Sequence, residues 1–351
     1  MPAPRTRTLI LLAKAPEAGA AERAERGEIP RIEYVELARA IGATILDFHD
    51  VDASSHPAVR QARARGRLWG LAALGMTKRR EFDQFYVTGE DIGMPFGMMM
   101  RAARDHGRVT MVVHHGGTKK RRIILRAIGH SVYRNVIVLA ERQREIFVSE
   151  LGYPGHKVHR FDQWLDTRFY EPRETSSDYV FSCGRESRDY PMLQRAAAKL
   201  PYEFRVVASG WAPHAGFNSA NNVLPTRNLA VLGKLTYEDL RDAYARARLV
   251  VVPLDRVDYA AGVTVICEAM AMGKPVVTTD SPGIRDYVLP GKSGFTVPIG
   301  DSVELARAID SLAKDDALRA RMGEHNRAWA ARAMSVERYV QRVAGLFGIT
   351  P

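Results

Sequence analysis

The chain has 351 residues, 46% hydrophobic and 26% charged, which is enough for two domains with separate cores and excludes a disordered or fibrous protein. A net charge of +11 asks for an anionic partner, whether nucleotide phosphate, acidic lipid head group or nucleic acid. Two cysteines, Cys183 and Cys267, exclude a disulfide framework; the apolar run at 9–13 is too short for a membrane span or secretory segment, so a cytoplasmic protein is expected.

Strand-like runs at 8–13, 44–48, 84–87, 109–113 and 136–139 alternate with helical patterns at 31–41, 59–74, 98–106, 119–128 and 141–151. This alternation predicts an α/β architecture with parallel sheets. The polar stretch 171–178 reads as a linker, and the βα series restarts at 179–183 and runs to about residue 334. Two successive series predict two doubly wound domains, at 1–172 and 173–335, followed by a last helical stretch at 336–351.

Several common motifs fail. Gly291-Lys292-Ser293 ends like a P-loop, but Asp286 stands where its first glycine belongs. No G-x-G-x-x-G follows the first strand and no G-x-S-x-G is present. His114 and His115 lack a zinc-ligand partner at the required spacing, and no metal is expected.

Anion-binding features remain. After the run 249–254, the turn Gly262-Val263-Thr264 opens an apolar helix whose N–H groups can hold phosphate. That helix carries one acid, Glu268. A buried carboxylate needs a partner, and either a ribose diol or a basic neighbour would serve. On the loop after strand 179–183, Arg185 and Arg188 suit a diphosphate clamp, or equally pair with acids of the same loop.

Together these residues resemble GT-B glycosyltransferases, and among them the retaining glycosyltransferase family 4. Gly184-Arg185 with Arg188 is similar to that family's phosphate clamp, with arginine in place of lysine. Glu268-Ala-Met-Ala-Met-Gly-Lys-Pro-Val-Val277 resembles its C-terminal signature, and 281–288 and 290–297 continue the match. The segment 231–240, with Gly233 and Lys234, resembles the one beside the nucleotide base. His114 and His115 sit where the family places a histidine near the donor sugar.

The resemblance implies two Rossmann-like domains facing a cleft, with a final helix returning to the first domain. It implies metal-free sugar transfer with retention from a UDP- or GDP-sugar, without a further cofactor. Glu268 would bind the ribose, Arg185 and Arg188 the diphosphate, and Gly262, Val263 and Thr264 would add backbone donors. There are two departures. Ala260 stands where the family carries a second acid, Asp258 being the nearest one, and the loop after the first strand keeps only Gly19. The first leaves open a degenerate nucleotide-sugar-binding scaffold or an epimerase.

The basic segments 56–80 and 119–126 complete the reading. Leu68, Trp69, Leu71 and Leu74 among the arginines suggest an interfacial amphipathic helix, and hence an anionic membrane surface at the inner face. A solvated basic face or a groove for an acidic acceptor fits equally. The acceptor is expected to be lipid-linked or an acidic glycan. Nucleic acid is not expected, because no interleaved aromatic platform is present.

Overall fold

The computed structural model describes residues 6–116, 118–175, 179–208 and 223–349. Gly117, the end of the expected linker at 176–178, and residues 350–351 of the last expected segment lie outside the described residues. The chain forms two compact units. One gathers Met1–Glu22, Ile32–Phe161 and Tyr339–Pro351, and the other Arg23–Arg31 and Asp162–Arg338.

The first unit is built on strands β1 (Thr8–Leu11), β2 (Thr44–Leu46), β3 (Gln84–Val87), β4 (Val109–Val113), β5 (Tyr133–Val138) and β6 (Val158–Arg160). Among the described residues they form one parallel sheet in the order β2-β1-β3-β4-β5-β6. A parallel sheet needs cover on both faces, and strands such as Val109–Val113 are buried throughout. Leu9, Leu11, Phe85, Val87, Met111 and Val113 pack into one core. On the opposite face the Tyr86 hydroxyl bonds that of Tyr339, and Phe347 meets the Tyr86 ring edge-on at 6.3 Å. The end of the helix Val336–Leu346 therefore packs on this unit.

The second unit holds β7 (Tyr179–Cys183), β8 (Phe204–Val207), β9 (Leu229–Leu232), β10 (Ala247–Val252), β11 (Val276–Thr279) and β12 (Gly294–Val297). Their order is β12-β11-β10-β7-β8-β9, the Rossmann order. Val180, Phe204, Val206, Leu249, Val251 and Val277 meet Leu305 and Ile309 in its core. In such sheets the crevice opens at the carboxyl ends of the strands where the order reverses. That point lies between β1 and β3 in the first unit and between β7 and β10 in the second.

Four expectations change. The pattern at 59–74 is two helices, Pro57–Arg63 and Arg67–Thr77, broken at Gly66, whose φ of +128° suits glycine. Leu71 and Leu74 are buried in the core and Leu68 packs against it, so the apolar side expected to meet a membrane is used inside the protein. The basic runs are also largely paired across the fold. Arg63 and Arg67 share Asp52, Arg121 binds Glu90 and Asp91, and Arg122 binds Glu150. Finally, residues 162–172 pack with the second unit. Asp166 holds Arg31 at 2.8 Å, the Gln163 N–H donates to the Tyr287 hydroxyl, and Arg327 donates to the carbonyls of Thr167 and Tyr170.

Candidate functional site

At the switch point of the second unit the loops after β7 and β10 are laced together. The Asp189 N–H donates to the Pro253 carbonyl at 2.9 Å, and the Asp255 N–H to the Ser187 carbonyl at 3.0 Å. Between these ties lies Arg188, only 4% exposed. Its Nε donates to the Cys183 carbonyl at 3.1 Å and Nη1 to the Glu186 carbonyl at 2.6 Å.

The guanidinium lies against two glycines. A Cβ on Gly184 would collide with it, and one on Gly262 would come within 3.1 Å of Nη1 and 2.9 Å of Val252. Gly262 has φ +76° and immediately precedes the helix Val263–Ala271. The arginine of one loop and the glycine turn of the other, 74 positions apart in the chain, thus meet. A fixed cation beside a helix N-terminus is an arrangement that can hold an anion. Arg185 is half-buried on the same loop, while Val263 is buried and Thr264 exposed in the first helical turn.

The segment carrying Asp258 and Ala260 is held in place. Tyr259 bonds Ser187 at 3.0 Å and Glu186 at 2.9 Å through its hydroxyl. Gly283 closes on the Tyr259 backbone with no room for a side chain, and its N–H donates to the Val257 carbonyl at 3.0 Å. The Ser281 hydroxyl accepts from the Val257 N–H at 3.1 Å. Moving Asp258 into the place of Ala260 would break this set of bonds, so the loop shift that such a substitution requires is opposed.

Glu268 lies one and a half turns into the helix and is buried. The Tyr244 hydroxyl donates to its Oε2 at 2.7 Å, and the Tyr170 ring lies edge-on to Tyr244. Burial pushes this carboxyl up to about 7, against the opposing effect of the tyrosine hydroxyls. Its protein partner is a tyrosine rather than a basic residue. Tyr244 belongs to the helix Tyr237–Arg246, which follows the exposed loop residues Gly233 and Lys234. Nothing in the sequence pattern singles out Tyr244, because it reads as an ordinary core position of an amphipathic helix.

In the first unit His114 and His115 form the turn that leaves β4. His114 Nε2 donates to the Thr88 carbonyl at 3.0 Å. Thr88 leaves β3, so this turn stands beside the β1/β3 switch point. The carboxylate of Glu90, which sequence reading passed over, accepts the N–H of His114 at 2.8 Å and of His115 at 2.7 Å. Arg121 binds the same carboxylate, and these positive neighbours hold it below the usual carboxylate range although it is buried. Among the described residues no group of three or more His, Cys, Asp or Glu comes together to hold a metal ion.

Residues 171–329 match the family model described as glycosyl transferases group 1. Two curated relatives match over parts of their length. The lipopolysaccharide core biosynthesis glycosyltransferase LpsE of Rhizobium meliloti (strain 1021) is 30% identical over 41% of this chain and 42% of that protein. The alpha-D-kanosaminyltransferase of Streptomyces kanamyceticus is 25% identical over 60% of this chain and 59% of that protein. The matches thus span less than two thirds of either relative. Among solved structures, HepE of Anabaena in complex with UDP superposes with TM-score 0.70 at 16% identity, covering 97% of this chain and 99% of that one. Sucrose-phosphate synthase from Thermosynechococcus elongatus gives TM-score 0.72 at 16% identity, covering 98% of each chain. Both are likenesses of fold.

Proposed function

We propose that the protein transfers a sugar from a nucleotide-diphosphate donor to an acceptor, a reading supported by the match of residues 171–329 to the glycosyl transferases group 1 model and by the GT-B fold. The observation that carries the reading is Arg188 lying against Gly262 at the β7/β10 switch point. In the reaction the bond between the sugar C1 and the diphosphate oxygen breaks, a bond from C1 to an acceptor oxygen forms, and the acceptor's proton is released. Negative charge grows on the leaving diphosphate. Arg188, Arg185 and the backbone of the Gly262-Val263-Thr264 turn, whose Val263 N–H also donates to the Ala260 carbonyl at 3.4 Å, stabilise that charge where it develops. We assign the reaction to retention of configuration, with these positive groups acting on the diphosphate and no step given to a metal.

Glu268 accepts the ribose hydroxyls, supported by its place on the helix behind the anion site. Gly233 and Lys234 lie beside the base, supported by the loop's connection to the helix that brings Tyr244 to Glu268. His114 and His115 are assigned to the transferring sugar. The uridine nucleotide bound to HepE supports a UDP-sugar over a GDP-sugar as the first donor to try. The name of the relative LpsE supports a lipid-linked or acidic glycan acceptor. Release of UDP from UDP-glucose, or of GDP from GDP-mannose, tests the reading. A chain that binds neither nucleotide and releases none overturns it.

A second reading concerns the surface. Ile123 is 70% exposed on the helix Lys119–Ile128, beside Lys119 and Lys120. An exposed apolar side chain amid cations suits an anionic membrane, and a peripheral position at its inner face would use this helix rather than 56–80. The two buried thiols, Cys183 and Cys267, suit the reducing side of that membrane. Co-sedimentation with phosphatidylserine vesicles at low and high salt checks it; no binding at low salt excludes it.

A further inference from the structure

The buried carboxylate of Glu90 has a job that the proposed chemistry leaves unassigned. Glu90 opens the helix Glu90–Ala102, directly after the turn that leaves β3. Its side chain is 1% exposed, too deep to touch a substrate. Instead its two oxygens divide between consecutive backbone amides: Oε2 takes the His114 N–H and Oε1 the His115 N–H. Arg121 binds Oε1 as well and reaches Asp91 with its other nitrogen at 2.8 Å. Gln143 supports the same turn from another side, donating to the His114 carbonyl at 2.9 Å. Gly116 completes it: a Cβ there would lie 2.5 Å from Val113 and 3.0 Å from Phe147.

We propose that Glu90 is the positioning residue of the His114–His115 turn, fixing both imidazoles at the carboxyl end of β4 through the peptide N–H groups. This rests on the assignment of that turn to the transferring sugar. The physical case is one of chemistry and shape. Only a carboxylate offers two acceptor oxygens to two amides and a guanidinium at once. A glutamine there turns one acceptor into a donor, sets it against a backbone N–H, and removes the negative charge that Arg121 pairs with. The titratable and charged groups facing Glu90 are the His114 and His115 imidazoles and the Arg121 guanidinium, with Asp91 beyond Arg121. The His115 Nδ1 lies 3.9 Å from Oε1.

The test uses the full chain and donor hydrolysis, with UDP-glucose and GDP-mannose as probes and released nucleotide as the signal. Glu90→Gln should lower kcat about 10–100-fold, the size of effect that a small displacement of a reacting group produces, with KM within about 2-fold. Its pH–rate profile should move in the imidazole range, and Glu90→Asp should restore part of kcat. Equal kcat and an unmoved pH profile in Glu90→Gln overturn the proposal. Should Glu90→Gln fail to fold, Arg121→Met stands in. It leaves both amide bonds, so kcat should fall less than in Glu90→Asp, whose shorter carboxylate cannot span both amides; a fall as large in Arg121→Met as in Glu90→Asp, or an unchanged kcat in Glu90→Asp, overturns the proposal. If the wild-type protein itself releases no nucleotide, the functional reading has failed rather than this one. The histidine Cε1–H resonances then decide: those of His114 and His115 shift in Glu90→Gln if the turn is held this way, and unshifted resonances refute it.

Discussion

Replacing Glu268 by glutamine should raise stability and lower nucleotide affinity together. The buried carboxyl titrates near 7 in the fold, against 4.5 as its ordinary value. A group whose pKa is raised by folding binds protons more tightly when folded. Its favourable contribution is complete below 4.5 and drains away as pH climbs to about 7. Worked through the linkage relation, wild type loses about 1 kcal/mol to this group by pH 5 and about 3 kcal/mol by pH 8. Glutamine keeps the shape and can still accept from Tyr244, but has no charge to bury. The stability difference between Glu268→Gln and wild type should therefore widen by about 2–3 kcal/mol in favour of the variant from pH 5 to pH 8. Thermal denaturation of both proteins across that range measures it. Nucleotide binding should move the opposite way, because ribose hydroxyls bond a carboxylate more strongly than an amide, a loss of about 1–2 kcal/mol. A stability gap that does not change with pH would show that Glu268 is not an ionised, desolvated acid near neutrality. Unchanged affinity for UDP and GDP would remove it from the ribose.

Further outcomes follow from the same geometry. Tyr244→Phe removes the donor to Glu268 and should destabilise the fold by about 1–3 kcal/mol, more at pH 8 than at pH 5, as read by chemical denaturation at both values. Gly262→Ala forces a side chain into a left-handed turn and toward Val252 and Arg188. It should cost about 1–2 kcal/mol from the backbone alone and weaken UDP more than uridine; equal affinities in calorimetry would remove the turn from the phosphate site. Gly283→Ala meets the Tyr259 backbone, so soluble yield or melting temperature should fall sharply, and a variant as stable as wild type would contradict the close approach.

How much of this was legible in the sequence depends on the range of the interaction. The alternating runs announced two parallel sheets because strands covered on both faces must be apolar along most of their length, as residues 249–252 of β10 are. Arg188 and Gly262 could each be singled out, since a cation on a strand-to-helix loop and a glycine before an apolar helix are local features. Their meeting could not be read, because it is made by the pairing of β7 with β10. Glu90 was hidden for the same reason. As an acid in the first turn of a helix it looks like ordinary complementarity to the helix dipole, and its partners are 24, 25 and 31 residues away. The basic stretch at 56–80 misled by composition, since its counter-charges Asp52 and Asp105 lie outside it and its leucines face inward.

The central claim is that the β7/β10 switch point of the second unit binds the diphosphate of a nucleotide-sugar donor. Calorimetric titration of UDP, GDP, uridine and guanosine into wild type and Arg188→Met tests it most directly. The account predicts that one diphosphate binds far more tightly than its nucleoside, and that Arg188→Met removes about 2–3 kcal/mol of that difference while leaving the nucleoside nearly unaffected. Binding of the diphosphates that is absent in wild type, or equal in wild type and Arg188→Met, contradicts it.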